Sequence, residues 1–177
     1  MGGLISRSAC SYAEEQNLSW LNVLRDVACL GSPHQGAALE RVGQMVTATL
    51  AKSTFTNALS AAGKRRSAGI KDLRYGCLRH EDWEGGHPDE HVPVRITPVH
   101  ILPDVRYCLV ASNWKKSTAE TIGDGLVQVS SGMANAGVLG DEGKNNVHRT
   151  LLQGLNHMEL PRHESVYQIL DEWLFNS

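Results

Sequence analysis

Leu4, Ile5, Ala9, Tyr12 and Ala13 recur at helical spacing and predict an amphipathic helix from about Gly2 to Gln16, with Asn17 and Ser19 marking its end. Arg25 to Leu30 is a short apolar run closed by Gly31-Ser32-Pro33, the pattern of a strand buried on both faces. Leu39, Val42, Val46 and Leu50 predict a second helix. Phe55, Ala58, Leu59 and Ala62 predict a third, shorter one, and Ser67 to Leu73 another turn or two. The periodicity then stops. From Arg79 to Pro103 histidines, acids, glycines and prolines replace it, which predicts a long irregular excursion. Val105 to Ala111 is a second continuous apolar run and Val147 to Leu152 a third strand. Ser117 to Thr121 suits a short helix and Gly123-Asp124-Gly125 a turn. Val166, Ile169, Leu170, Trp173 and Leu174 make an amphipathic closing helix.

Strands separated by helices imply an α/β fold built on about three parallel strands. No repeat, low-complexity tract or linker divides residues 1–177, so the chain reads as part of a single domain. The net charge of −2 supplies no basic surface for nucleic acid or an anionic membrane. No apolar run is long enough for a transmembrane segment. Cys10, Cys29, Cys77 and Cys108 are far apart and form no C-x-x-C pair; they suit a reducing, cytoplasmic compartment better than a disulfide scaffold. No basic and apolar leader opens the chain.

The chemistry concentrates in the segments that follow the strands, where open α/β sheets place their ligands. These are Gly31-Ser32-Pro33-His34-Gln35-Gly36, Gly123-Asp124-Gly125-Leu126-Val127 and Gly154-Leu155-Asn156-His157-Met158-Glu159-Leu160. An acid followed downstream by a histidine on successive loops of this kind is the Asp–His half of a hydrolase triad. The imidazole takes and returns a proton, while the carboxylate holds its tautomer. Each residue also has a plainer reading: Asp124 as a turn residue, His157 as a loop histidine. His148 reads as a strand-start residue or as one that supports the site from behind His157, and His163 as a helix start. Asp141 suits a solvated turn, and Asp72 with Arg74 an exposed pair of little weight.

Together these segments resemble the α/β-hydrolase superfamily, in its lipase and esterase branch, and within that the glycosyl-phosphatidylinositol deacylase-like enzymes. Met1-Gly2-Gly3-Leu4 at the head of a helix is similar to the second half of their nucleophile elbow. Leu30-Gly31-Ser32-Pro33-His34-Gln35-Gly36 resembles the segment after the next strand, and the Gly-Asp-Gly-Leu-Val and Asn-His-Met-Glu-Leu segments resemble their acid and histidine loops. The resemblance implies a partial α/β-hydrolase fold, the carboxyl-terminal part only, with residues 79–103 as a lid-like insertion. It implies Asp124 and His157 as catalytic residues, the backbone N–H at Met1 as an oxyanion donor, and Gly2 and His34 as pocket-shaping residues. Gly2 would be glycine because a side chain there would obstruct the close approach of helix and strand. The nucleophilic serine would be the residue before Met1, and no Gly-x-Ser-x-Gly occurs in the 177 residues.

The expected activity is carboxylic ester hydrolysis, on a small-molecule or lipid ester, without cofactor, by a parent enzyme of which this chain alone would be inactive. The alternative is a non-catalytic remnant or interaction module of the same fold. Residues 25–30 would form an exposed apolar sheet edge and a route to self-association. His80-Glu81-Asp82 with His87, Asp89 and His91 has zinc-ligand residue types, but its spacing matches no closed metal site and no metal is expected.

Overall fold

The computed structural model describes residues 2–36, 76–82, 84, 97–114, 123–134, 139 and 146–175. Three parallel strands form one sheet in the order β1 (Asp26–Leu30), β2 (Arg106–Asn113), β3 (Val147–Gln153). Val27 pairs with Tyr107 and Leu30 with Val110 across the first ladder, and Tyr107 with Val147 and Asn113 with Gln153 across the second. The central strand is buried from Tyr107 to Asn113, as its unbroken apolar run requires of a parallel strand covered on both faces.

Alternation along β2 divides the core into two. Tyr107 and Leu109 pack with Cys10, Cys29, Ile101, Leu102 and Val105 on one face. Cys108 and Val110 pack with Leu160, Val166 and Trp173 on the other. Each fully buried Leu or Val contributes about 1.5–3 kcal/mol relative to exposure. Helix α1 (Gly2–Glu15) brings Cys10 to the first face, and helix α3 (Glu164–Phe175) brings Val166 and Trp173 to the second. Between β2 and β3 lies a single turn of helix, α2 (Val129–Gly132).

Helix α1 ends as its sequence implies. Asn17 adopts φ 52°, Leu18 N–H donates to the Ala13 carbonyl (2.9 Å) and Asn17 N–H to that of Glu14 (3.1 Å), the paired bonds of a Schellman cap. A 3₁₀ segment, Ser19–Val23, follows it and has no counterpart in the sequence reading. At the amino end of the sheet, the Arg106 guanidinium donates to Asp26 (2.6 Å) and to the Trp173 carbonyl (3.2 Å), fastening the last turn of α3 to two strands. Among the described residues no helix is long and apolar enough to cross a membrane.

The excursion predicted over 79–103 differs from expectation at both ends. Val99, Ile101 and Leu102 are buried and the last two belong to the core, so the chain rejoins the packed body before Pro103, while residues 83 and 85–96 of the lid-like insertion lie outside the described residues. At the other end, residues 78–80 are strapped along α1. Ser8 donates to the Leu78 carbonyl, Arg79 to Ser11, and His80 N–H to the Tyr12 hydroxyl, while Arg79 lies over the Tyr12 ring and pairs with Glu15 and Glu81. Asp82 closes the neck between the two ends. Its carboxylate is fully buried and accepts from the N–H groups of Leu78, Arg79 and Thr97. The helices expected within 39–73 and over 117–121 lie outside the described residues, as do Asp72, Arg74 and Asp141.

Candidate active site

Three loops meet at the carboxyl end of the sheet. The acid loop leaves β2 and turns at Gly123, whose carbonyl accepts from Trp114 N–H (2.8 Å). Gly123 has φ 60°, and a Cβ there would lie 1.8 Å from the Val127 carbonyl oxygen, so only glycine fits. The turn folds the chain back over Asp124. Oδ1 accepts from the N–H groups of Leu126 (2.9 Å) and Val127 (2.8 Å), and the side chain is 1% exposed. One oxygen is thus held by backbone donors and the other is free to be aimed.

Its target is His157. The Nδ1 atom lies 2.7 Å from Asp124 Oδ2, and a second bond, His157 N–H to the Asp124 carbonyl (3.0 Å), joins the two backbones. The loop that carries the histidine is fixed by a reciprocal cap. Asn156 Oδ1 accepts from Met158 and Glu159 N–H, and Glu159 Oε2 accepts from Asn156 N–H. Gly154 N–H donates to the Asn113 carbonyl (2.7 Å) and Ser112 to that of Leu155 (3.0 Å), tying this loop to the end of β2. With Nδ1 engaged and the side chain 28% exposed, Nε2 is the nitrogen available for proton transfer.

Gly31 completes the setting. With φ 57°, its missing Cβ would stand 3.0 Å from Asp124 Oδ2 and 3.2 Å from His157 Cε1, so this residue walls the dyad directly. Ser32, the next residue, meets the amino end of α1: a Cβ on Gly3 would lie 2.4 Å from Ser32 Oγ and 2.9 Å from Cys29 Sγ. The head of α1 therefore stands beside the dyad. The obstruction expected at Gly2 is found at Gly3 instead, since a Cβ on Gly2 meets nothing within 4 Å.

His34 sits deeper than its sequence reading implied. It is 2% exposed, and neither ring nitrogen has a hydrogen-bond partner among the described residues. Burial, with Arg7 and Arg149 nearby, pushes its pKa down to about 3, so the ring is neutral. It presents almost no surface to solvent. It belongs to a loop latched onto α2: His34 N–H donates to the Ser131 carbonyl (3.2 Å), Gln35 N–H to Ser131 Oγ (3.0 Å), and that hydroxyl to the Gly36 carbonyl (2.8 Å).

Met1 lies outside the described residues, as do His87, Asp89 and His91. The described part of the histidine-rich segment is otherwise occupied, with Asp82 turned onto backbone N–H groups and Glu81 onto Arg79. His148 is an exposed β3 residue whose Nε2 meets Thr150 (3.0 Å), and His163 accepts from Ser165 N–H at the start of α3. The four cysteines are free and buried, and burial pushes the Cys29 and Cys108 thiols up to about 11.

Gly31, Ser131, Asn156 and Glu159 support the site without having been singled out. The Asn-x-x-Glu spacing of the last two is a legible capping signature, whereas Ser131 carries no local signal. Comparison with protein-family models, curated proteins and solved structures finds no match to this chain.

Proposed function

We propose that these residues form the acid–base part of an α/β-hydrolase of lipase or esterase type, which cleaves carboxylic esters with a Ser-Asp-His triad. The observation that carries the reading is the contact of His157 Nδ1 with a buried Asp124 already held by two backbone donors. That arrangement leaves Nε2 as a base oriented by a fixed carboxylate. In the proposed reaction Nε2 takes the proton of a serine hydroxyl as its oxygen bonds to the ester carbonyl carbon. It returns that proton to the departing alcohol, and a water repeats the sequence to free the acid. The serine belongs to a segment preceding α1, whose head is placed next to the dyad through Gly3, Ser32 and Gly31. The absence of Gly-x-Ser-x-Gly from the 177 residues favours a second reading, a non-catalytic module that retains the dyad.

The test uses p-nitrophenyl butyrate with the 177-residue chain and with the same chain extended by its in-frame upstream codons, each against its His157→Ala variant. The expected result is turnover that depends on His157 in the extended protein, which carries Gly-x-Ser, and none in the shorter one. His157-dependent turnover by the shorter chain refutes the need for an outside serine. An upstream frame without Gly-x-Ser supports the non-catalytic reading.

A further inference from the structure

The acid loop and the loop that follows β1 are distant in sequence, and one residue of α2 joins them. Ser131 is buried. Its Oγ donates to the Gly36 carbonyl (2.8 Å) and accepts from Gln35 N–H (3.0 Å), while its carbonyl accepts from His34 N–H (3.2 Å). Three hydrogen bonds thus run from this one residue to residues 34–36. Helix α2 begins where the acid turn ends. Val127 N–H donates to Asp124 Oδ1 and Asp124 N–H to the Val127 carbonyl, and Gly132 presses on β2, where a Cβ would lie 2.9 Å from that of Ala111. A single turn of helix has no stability of its own, so α2 keeps its place through these contacts. The loop after β1 is equally compact. His34 N–H also donates to the Ser32 carbonyl (3.0 Å), Gly36 N–H to that of Pro33 (2.9 Å), and Gly31 N–H to that of Val110 (2.8 Å). At the head of this loop Gly31 stands against Asp124 Oδ2 and His157 Cε1. A glycine has no side chain with which to pack, so its place is set by the chain on either side of it.

We propose that Ser131 is a positioning residue for the dyad: by holding residues 34–36 it keeps Gly31 against Asp124 Oδ2, and so keeps water from the oxygen that bonds His157 Nδ1. The inference rests on the acid–base reading of Asp124 and His157. Asp124 Oδ1 is occupied by two backbone donors, so the orienting bond depends on Oδ2. A water that reached Oδ2 would donate to it in competition with the imidazole and would raise the local dielectric. Both effects weaken the hold on the ring. Gly31 is the wall on that side, secured by Val110 where the strand ends and by Ser131 farther along the loop. Ser131 acts through Gly31 and takes no part in proton transfer.

Proton NMR of the 177-residue chain in water tests it, with Ser131→Ala, which takes the hydroxyl from Gln35 and Gly36. The His157 Nδ1–H resonance stands at low field because that proton lies in the bond to Asp124, and its loss in His157→Gln assigns it. The expected result is a resolved wild-type signal that, in Ser131→Ala, exchanges with solvent roughly ten-fold faster or broadens beyond detection. The Leu126 and Val127 amides, held by Asp124 Oδ1, keep their wild-type exchange rates in the variant, which shows the acid turn still folded. An unchanged His157 signal in Ser131→Ala overturns the proposal and leaves the acid–base reading standing. Faster exchange that extends to the Leu126 and Val127 amides also overturns it, since Ser131 would then support the fold of the acid loop rather than the shielding of Oδ2. Absence of the signal from the wild type overturns both. None of these measurements needs a nucleophile, so an upstream frame without Gly-x-Ser has no bearing on them.

Discussion

His34 offers the sharpest quantitative test of how the site is built. Its ring is buried, unpartnered among the described residues, and has its pKa lowered from the ordinary 6.5 to about 3. Below pH 6.5 the unfolded chain takes up a proton that the folded chain refuses until about pH 3. The unfolded state therefore binds more protons across that window, and stability falls as the pH falls through it. At one pH unit per 1.36 kcal/mol, moving from pH 7.5 to pH 4.5 removes about 2–3 kcal/mol through this residue alone. The perturbation is His34→Leu, which keeps an apolar side chain in the space and removes both the titration and the unpaired nitrogens. At pH 7.5 the variant is as stable as wild type or more stable by up to about 2 kcal/mol, since a neutral buried polar group without partners costs its desolvation. Acidification to pH 4.5 widens the gap by about 2–3 kcal/mol in the variant's favour. Urea unfolding of both proteins at both pH values gives the double difference, in which carboxylates common to the two cancel. Equal losses for variant and wild type on acidification refute the claim that His34 is held neutral by burial.

Other expectations follow from single contacts. Gly3→Ala forces a Cβ into Ser32 and Cys29 and destabilises by about 1–3 kcal/mol, whereas Gly2→Ala, with open space, is neutral or slightly stabilising; thermal melts separate the two. Asp82→Ala strands three backbone donors at the neck between residues 79 and 97 and costs about 3 kcal/mol in urea unfolding. On the proposed function, in the chain extended by its in-frame upstream codons, Asp124→Asn lowers kcat for p-nitrophenyl butyrate by on the order of 10³–10⁴-fold while KM changes little, because the wrong imidazole tautomer is favoured. On the same proposal Gly31→Ala in that extended chain crowds Asp124 Oδ2 and His157 Cε1 and adopts a strained φ, so kcat falls with the fold retained by circular dichroism.

The parts of this fold legible from sequence are those whose environment is uniform along the element. β2 is buried on both faces, so its apolar run needs no alternation to be recognised, and α3 shows the apolar stripe of a helix covered on one side. Asp124 and His157 were readable because chemistry and post-strand position coincide. What escaped depends on contacts between distant residues. Pro98 and Pro103 interrupt the pattern of 97–103, yet Ile101 and Leu102 complete the core beside Tyr107. Asp82 looks like surface charge until three N–H groups converge on it. The glycine that α1 requires against β1 is Gly3 rather than Gly2, a one-residue distinction set by how the helix rotates onto Ser32.

The hydrogen bonds that hold the dyad all lie within a short stretch of chain. Trp114 to Gly123, Gly154 to Asn113, Leu126 and Val127 to Asp124, and His157 to Asp124 join residues of β2, β3 and their following loops only. Among the described residues none of these bonds crosses to α1 or β1. The Asp124–His157 pair is therefore held by bonds separate from those that hold α1 and β1. A polypeptide boundary placed upstream of β2 would leave these bonds intact while removing the wall that Gly31 gives the pair, so two separately made fragments would each carry part of the setting.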